Sequence, residues 1–182
     1  KAVMEPIWIN ASLENLAAFQ EGAELPHIIT VTFIENFLWI GGSGATLPLV
    51  VYMSAFARSK QAKQIGRLSI APGIFNINES VTFGIPVVLN PFLMIPFVLG
   101  PLVILLIDYI TMKAGIFPLT AGIVIPWTTP YFISGYLATG GKIGGVLLQI
   151  INFVVSFLIW LPFARAWDKQ AYAQENAKTA KA

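Results

Sequence analysis

Long uncharged stretches separated by short clusters of charge set the pattern of this chain. Residues 2–24 carry Ile9, Leu13, Leu16 and Phe19 at near-helical spacing, with Glu14 and Glu21 seven apart. That spacing predicts an amphipathic helix lying on a membrane surface or on a bundle. Residues 36–57 hold no charge and are long enough to cross a bilayer. Gly41-Gly42-Ser43-Gly44 and Pro48 interrupt them, so a broken helix or a helical hairpin is expected in place of one straight span. Residues 68–81 are too short and too polar to span. Residues 87–107 form the best spanning segment despite three prolines, with Asp108 and Lys113 expected at its outer end. Residues 116–141 are free of charge but studded with proline and glycine, and residues 143–164 span back.

Two of these segments read as re-entrant hairpins. One, over residues 68–81, dips from the side of a basic run. The other, with Pro126-Trp127-Thr128-Thr129-Pro130 at its tip, enters from the opposite face. Broken elements that meet at the midplane are a recurring way to build a transport site. The basic run is Arg58, Lys60, Lys63 and Arg67, with no acid among them. The positive-inside rule puts it on the cytoplasmic face, as it does Arg165, Lys169, Lys178 and Lys181 near the C-terminus.

Composition turns this pattern into a fold class. Only 11% of the 182 residues are charged, 56% are hydrophobic, and the mean hydropathy is +0.73. Soluble domains carry about 25% charged residues, so lipid must solvate much of this surface. The expectation is an all-α integral membrane protein, with transmembrane helices and two re-entrant hairpins, in contact with the lipid bilayer. A net charge of +2 gives no footprint for nucleic acid. No cysteine is present, which removes thiol chemistry from the chain itself. One histidine and no cluster of zinc-type ligands predict no metal. The opening Lys1-Ala2-Val3-Met4-Glu5 has neither an initiator methionine nor a signal pattern, so a start inside a longer protein is expected.

Glu79 is the only acid between Glu35 and Asp108. A carboxylate at the bilayer centre costs roughly 2.5–3.5 kcal/mol, and such a residue marks a substrate or ion path by default. The bland alternative is a carboxylate at a helix start that faces water. Asn76 and Asn78 stand beside it, and amides with a carboxylate suit the hydroxyls of a sugar. Trp127 offers an indole to the apolar face of a pyranose, with Thr128 adding a hydroxyl, although an interfacial anchor is its competing role. Glycosidic hydrolysis needs a second carboxylate roughly 5–10 Å away. None is near in sequence, and His27, after Pro26, reads as structural. The glycine cluster lacks the lysine of a phosphate loop. The groups are therefore those of a binding site, with no catalytic set and no cofactor.

At Pro72-Gly73-Ile74-Phe75-Asn76-Ile77-Asn78-Glu79, then Phe83-Gly84-Ile85-Pro86 and Leu89-Asn90-Pro91, the sequence resembles the IIC permease component of the bacterial phosphoenolpyruvate-dependent phosphotransferase system, in its lactose/cellobiose/diacetylchitobiose branch. Gly41-Gly42-Ser43-Gly44-Ala45-Thr46-Leu47 and Pro126-Trp127-Thr128-Thr129-Pro130 are similar to the same branch. The resemblance implies the C-terminal transport half of a permease in residues 1–167, followed by a cytoplasmic tail in residues 168–182. It implies a homodimer formed through an N-terminal half not present here, in the bacterial inner membrane. It implies sugar contact by Asn78, Glu79 and Trp127. The substrate would be a disaccharide, cellobiose or a related β-glucoside, lactose or diacetylchitobiose. It would be phosphorylated from a phosphocysteine on a IIB component docked at Arg58, Lys60, Lys63 and Arg67. Two departures stand out. Ser80 occupies the place of the family's usual proline, and the family's histidine in a Gly-Ile-His-Gly motif would lie upstream of residue 1. An ion-coupled secondary transporter with Glu79 as coupling carboxylate is the alternative. A membrane-embedded enzyme is disfavoured by the missing second catalytic group.

Overall fold

The computed structural model describes residues 3–87 and 89–179. Lys1, Ala2, Val88, Ala180, Lys181 and Ala182, and the side chains of Lys178 and Thr179, lie outside the described residues. All regular structure among those described is helical. Helix α1 spans Glu5–Glu21 and stops at Gly22, whose φ of +69° suits a left-handed cap. Helix α2, Val31–Phe33, starts where the Thr30 hydroxyl accepts the Phe33 N–H, and a π-helical turn, Ile34–Leu38, continues it. The chain then breaks at the glycine cluster, as its composition predicts, and resumes as α3, Leu47–Ala55.

Helix α4, Lys60–Ile74, is capped by Ser59, whose hydroxyl accepts the Ala62 N–H at 3.1 Å. The basic run is thus not a loop: Lys60, Lys63 and Arg67 ride on α4, and only Arg58 precedes it. Gly66 lets α4 pack closely on α3, since a Cβ there would sit 2.5 Å from the Ser54 nitrogen. A four-residue turn then leads into α5, Glu79–Gly84, which folds back on α4. Helix α6, Pro91–Lys113, begins where Asn90 accepts the Phe92 N–H and Pro91 takes a first-turn position. Residues 116–132 are largely non-helical and end in α7, Ile133–Ala138. Helix α8, Ile143–Thr179, runs unbroken through residue 167.

Helices α6 and α8 are long and apolar enough to cross a membrane. Their outward faces are stripes of exposed large apolar residues: Ile95, Leu99, Leu102, Leu106 and Ile110 on α6, and Leu147, Ile151, Val154 and Leu158 on α8. Water would not solvate such surfaces, and lipid does. The inward faces carry polar groups instead. Gln149 accepts the Gly135 N–H and donates to the Asn36 carbonyl and the Ser134 hydroxyl, and Asn152 donates to Asp108 at 2.9 Å. Asp108 differs from its expected place at the end of a span. Helix α6 continues five residues further, and the carboxylate is fully buried between α6 and α8. Charge alone suggested a boundary, but a partner across the helix pair lets the chain keep it inside.

Trp160 is fully buried in the core shared by α3, α5, α6 and α8. It is a packing residue, and its indole N–H donates to the Gly44 carbonyl at 3.2 Å. A second core gathers Phe33, Phe37, Met112 and Leu148. A third, with Ile40, Ala45, Leu47, Ile104 and Tyr131, lies directly under the glycine loop.

Candidate sugar-binding site

The site forms where three irregular segments meet: the glycine loop 39–46, the turn 75–78, and the turn 126–130. Irregular backbone needs partners for its N–H and C=O groups, above all in a membrane. Two asparagines supply them. Asn76, 8% exposed, accepts the Gly41 N–H at 3.0 Å and donates to the carbonyls of Trp127 at 2.8 Å and Thr129 at 3.1 Å. Its φ of +63° lies in the left-handed region that asparagine tolerates better than most residues. Asn78 donates to the Ser43 carbonyl at 2.7 Å and the Thr46 hydroxyl at 3.1 Å, and Thr46 in turn donates to the Gly41 carbonyl.

The glycines admit these partners. A Cβ on Gly42, where φ is +94°, would sit 2.7 Å from the Asn78 side chain. One on Gly44, where φ is +80°, would fall 2.2 Å from the Phe97 ring. The same contacts explain why a glycine cluster stands here without a phosphate-loop lysine. It lets backbone approach side chain, and Asn76 and Asn78 occupy the space.

Glu79 is the first residue of α5 and is exposed. The first-turn N–H groups of a helix favour a carboxylate at this position. Ser80 is the second residue, where the N–H has no intrahelical acceptor. Serine in the place of proline therefore costs the helix start no backbone hydrogen bond. Trp127 is 51% exposed, and its carbonyl is tied to Asn76. The structure thus brings Asn76, Asn78, Trp127 and Thr128 into one junction, with Glu79 at its rim. The asparagine donors, expected to face a sugar, are engaged within the chain. Glu79 and the Trp127 indole are left as exposed groups.

Gly41, Ser43, Thr46 and Trp160 belong to this framework although sequence reasoning assigned them no site role. The spacing of the glycine cluster gave a break, but not the identity of the side chains that fill it. His27 lies apart, beside Glu14, with its backbone N–H donating to Asn15 and its carbonyl accepting from Asn15, as expected of a structural residue.

Two cavities lie away from Glu79. One of about 390 Å³ backs onto Pro126 and Thr129 and is walled by Phe19, Ile123, Ile125 and Leu137. It is too apolar to receive sugar hydroxyls. The other, of about 650 Å³, lies between α3 and α8. Neither is lined by Glu79 or Trp127.

Comparison with known proteins fixes the class. Residues 1–101 match the model of the family "Phosphotransferase system, EIIC", and the chain belongs to that family, whose members are integral membrane permeases. It is 53% identical over 174 residues to the lichenan permease IIC component of Bacillus subtilis (strain 168), covering 96% of this chain and 38% of that protein. It is 54% identical over 177 residues to the cellobiose-specific EIIC component of Geobacillus stearothermophilus, covering 96% and 39%. The crystal structure of the transporter ChbC, the IIC component from the N,N'-diacetylchitobiose-specific phosphotransferase system, superposes with a TM-score of 0.94 at 53% identity, over 96% of this chain and 40% of that one. The chain spans about two fifths of the length of these relatives.

Proposed function

We propose that this chain carries the sugar-contacting part of a IIC permease. In this reading it binds a disaccharide, cellobiose or a related β-glucoside, lactose or diacetylchitobiose, and passes it inward as a IIB partner phosphorylates it. The observation that carries the reading is the Asn76 clasp. It ties the turn bearing Glu79 to the turn bearing Trp127, so a carboxylate and an indole move as one unit. Glu79 accepts hydroxyl protons, Trp127 covers a pyranose face, and Thr128 adds a hydroxyl. Asn76 and Asn78 hold the two turns in register. The helical turn α4–α5 and the 116–138 segment act as the two re-entrant hairpins, entering from opposite faces of the bacterial inner membrane. Residues 168–182 form the cytoplasmic end, and an N-terminal half of the full permease makes the homodimer. Uptake that requires phosphoenolpyruvate supports this reading. Uptake driven by a proton or sodium gradient would replace it with an ion-coupled transporter.

Trp127→Ala is expected to weaken sugar binding about thirtyfold, the loss typical of an aromatic anchor that its ligand covers, worth about 2 kcal/mol. Trp127→Phe keeps a ring and should lose much less. Isothermal titration with the disaccharide reads both, and equal small losses would return Trp127 to the role of a membrane-interface anchor.

Arg58, Lys60, Lys63 and Arg67 are taken as the dock for the phosphorylated IIB partner. Exposed charges act mainly on encounter rate and on its salt dependence. Neutralising all four should slow phosphoryl transfer while sugar affinity holds, and should flatten the salt dependence of the rate. Stopped-flow transfer at two ionic strengths tests this, with accessibility labelling of residue 60 to check orientation. Normal transfer in correctly oriented protein would exclude the docking role.

A further inference from the structure

The cavity of about 650 Å³ between α3 and α8 plays no part in the sugar site. Its wall on α8 repeats every four residues: Phe157, Leu161, Arg165, Lys169. Four-residue spacing keeps these side chains on one face, and twelve residues of helix extend about 18 Å. The groove thus changes along its length from ring and aliphatic carbon to two cations, and Arg58 adds a third from the opposite wall. Arg58, Arg165 and Lys169 are exposed, and among the described residues no ion pair or side-chain hydrogen bond holds them.

One acid, Asp168, lines the groove, but its oxygens are occupied. They accept the Arg58 N–H at 3.0 and 2.9 Å and the Ser59 N–H at 2.9 Å. Three cations against that one carboxylate leave the groove an excess of positive charge beside an apolar floor. That floor belongs to a helix able to cross a membrane and is continuous with its exposed residues Val154 and Leu158.

We propose that this groove binds an anionic phospholipid, with its phosphate held by Arg165, Lys169 and Arg58 and an acyl chain laid along Leu161 and Phe157. A phosphate beside two guanidinium groups and an ammonium satisfies donors that otherwise face only water. Basic pockets between membrane helices on the cytoplasmic side select such headgroups. A soluble phosphate compound would meet the cations but has no use for the apolar floor. A phosphorylated protein would not follow a groove that descends into the span. The assignment does not depend on where the sugar binds.

Native mass spectrometry of the protein released from nanodiscs of equal phosphatidylglycerol and phosphatidylcholine tests it. Retained phosphatidylglycerol is expected on the wild type. R165Q/K169Q should lower its retention about thirtyfold, at roughly fivefold for each cation removed. R165K/K169R, which keeps both charges, should keep it, and a circular dichroism spectrum of R165Q/K169Q that matches the wild type excludes unfolding. K63Q/R67Q, outside the groove, should keep it as well. Glycerol 3-phosphate, which offers the same phosphate without acyl chains, should displace none. Equal retention of both lipids, or retention unchanged in R165Q/K169Q, overturns the proposal. Displacement by glycerol 3-phosphate overturns it in favour of a soluble ligand. Slowed IIB transfer in R165Q/K169Q with lipid retention intact overturns it in favour of a protein interface.

Discussion

Glu79→Gln is expected to abolish sugar uptake and phosphorylation while the protein still inserts and keeps its helices. The carboxylate is exposed at the first residue of α5, and among the described residues no ion pair or hydrogen bond uses its side chain. Its removal therefore takes nothing from the core. What is lost is an acceptor for two sugar hydroxyls at once. Hydrogen bonds to a charged group contribute about 1.5–3 kcal/mol each, so losing the charge should cost about a hundredfold or more in affinity. Glutamine keeps the size and one acceptor oxygen, so the change isolates charge. Uptake in vesicles and circular dichroism on the same preparation read the two halves of the expectation. Normal transport by the variant would remove Glu79 from the site.

Asn76→Ala is expected to act in the opposite way, on stability first. The change deletes three hydrogen bonds that hold the Gly41, Trp127 and Thr129 backbone. At about 1 kcal/mol each, with about 1 kcal/mol more for alanine at a φ of +63°, the loss is about 4 kcal/mol. For a chain of about 180 residues that lowers the melting temperature by roughly 8–16 °C. Asn76→Asp keeps the acceptor for the Gly41 N–H but loses both donations, and should fall between. Scanning fluorimetry without sugar makes the measurement. A variant that melts like the wild type but binds no sugar would mean that Asn76 contacts substrate directly.

That contrast marks what sequence reasoning reaches and where it stops. The breaks were legible, because glycine clusters and proline pairs cannot continue a helix whatever surrounds them. The place of Glu79 was not: an isolated acid in an apolar run suggested a carboxylate inside the membrane, and it stands exposed at the first residue of α5, where the bland alternative put it. The roles of Asn76 and Asn78 were not legible. An amide beside a carboxylate reads the same whether its donors meet a sugar or a carbonyl 51 residues away. Asp108 shows the same limit. Its charge predicted a water-facing end, whereas it is buried with one oxygen accepting from Asn152, 44 residues on. Trp160 carries no signal that its indole closes the glycine loop. In each case the deciding partner is remote in sequence, and a periodicity or a local motif carries no information about it.

The indole of Trp160 and the carbonyl of Gly44 are 116 residues apart. At a synthesis rate of about 5–20 residues per second, roughly 6–23 s separate their appearance at the ribosome. The bare peptide groups of the glycine loop thus enter the membrane long before the chain has made the groups that satisfy them. Until Asn76, Asn78, Ser156 and Trp160 arrive, that segment needs water or the insertion machinery to solvate it, because hydrocarbon cannot. Biogenesis of this protein is therefore most exposed to quality control in the interval between its first and last helices. Slower translation through the intervening codons would lengthen that interval, and degradation of the nascent chain should rise with it.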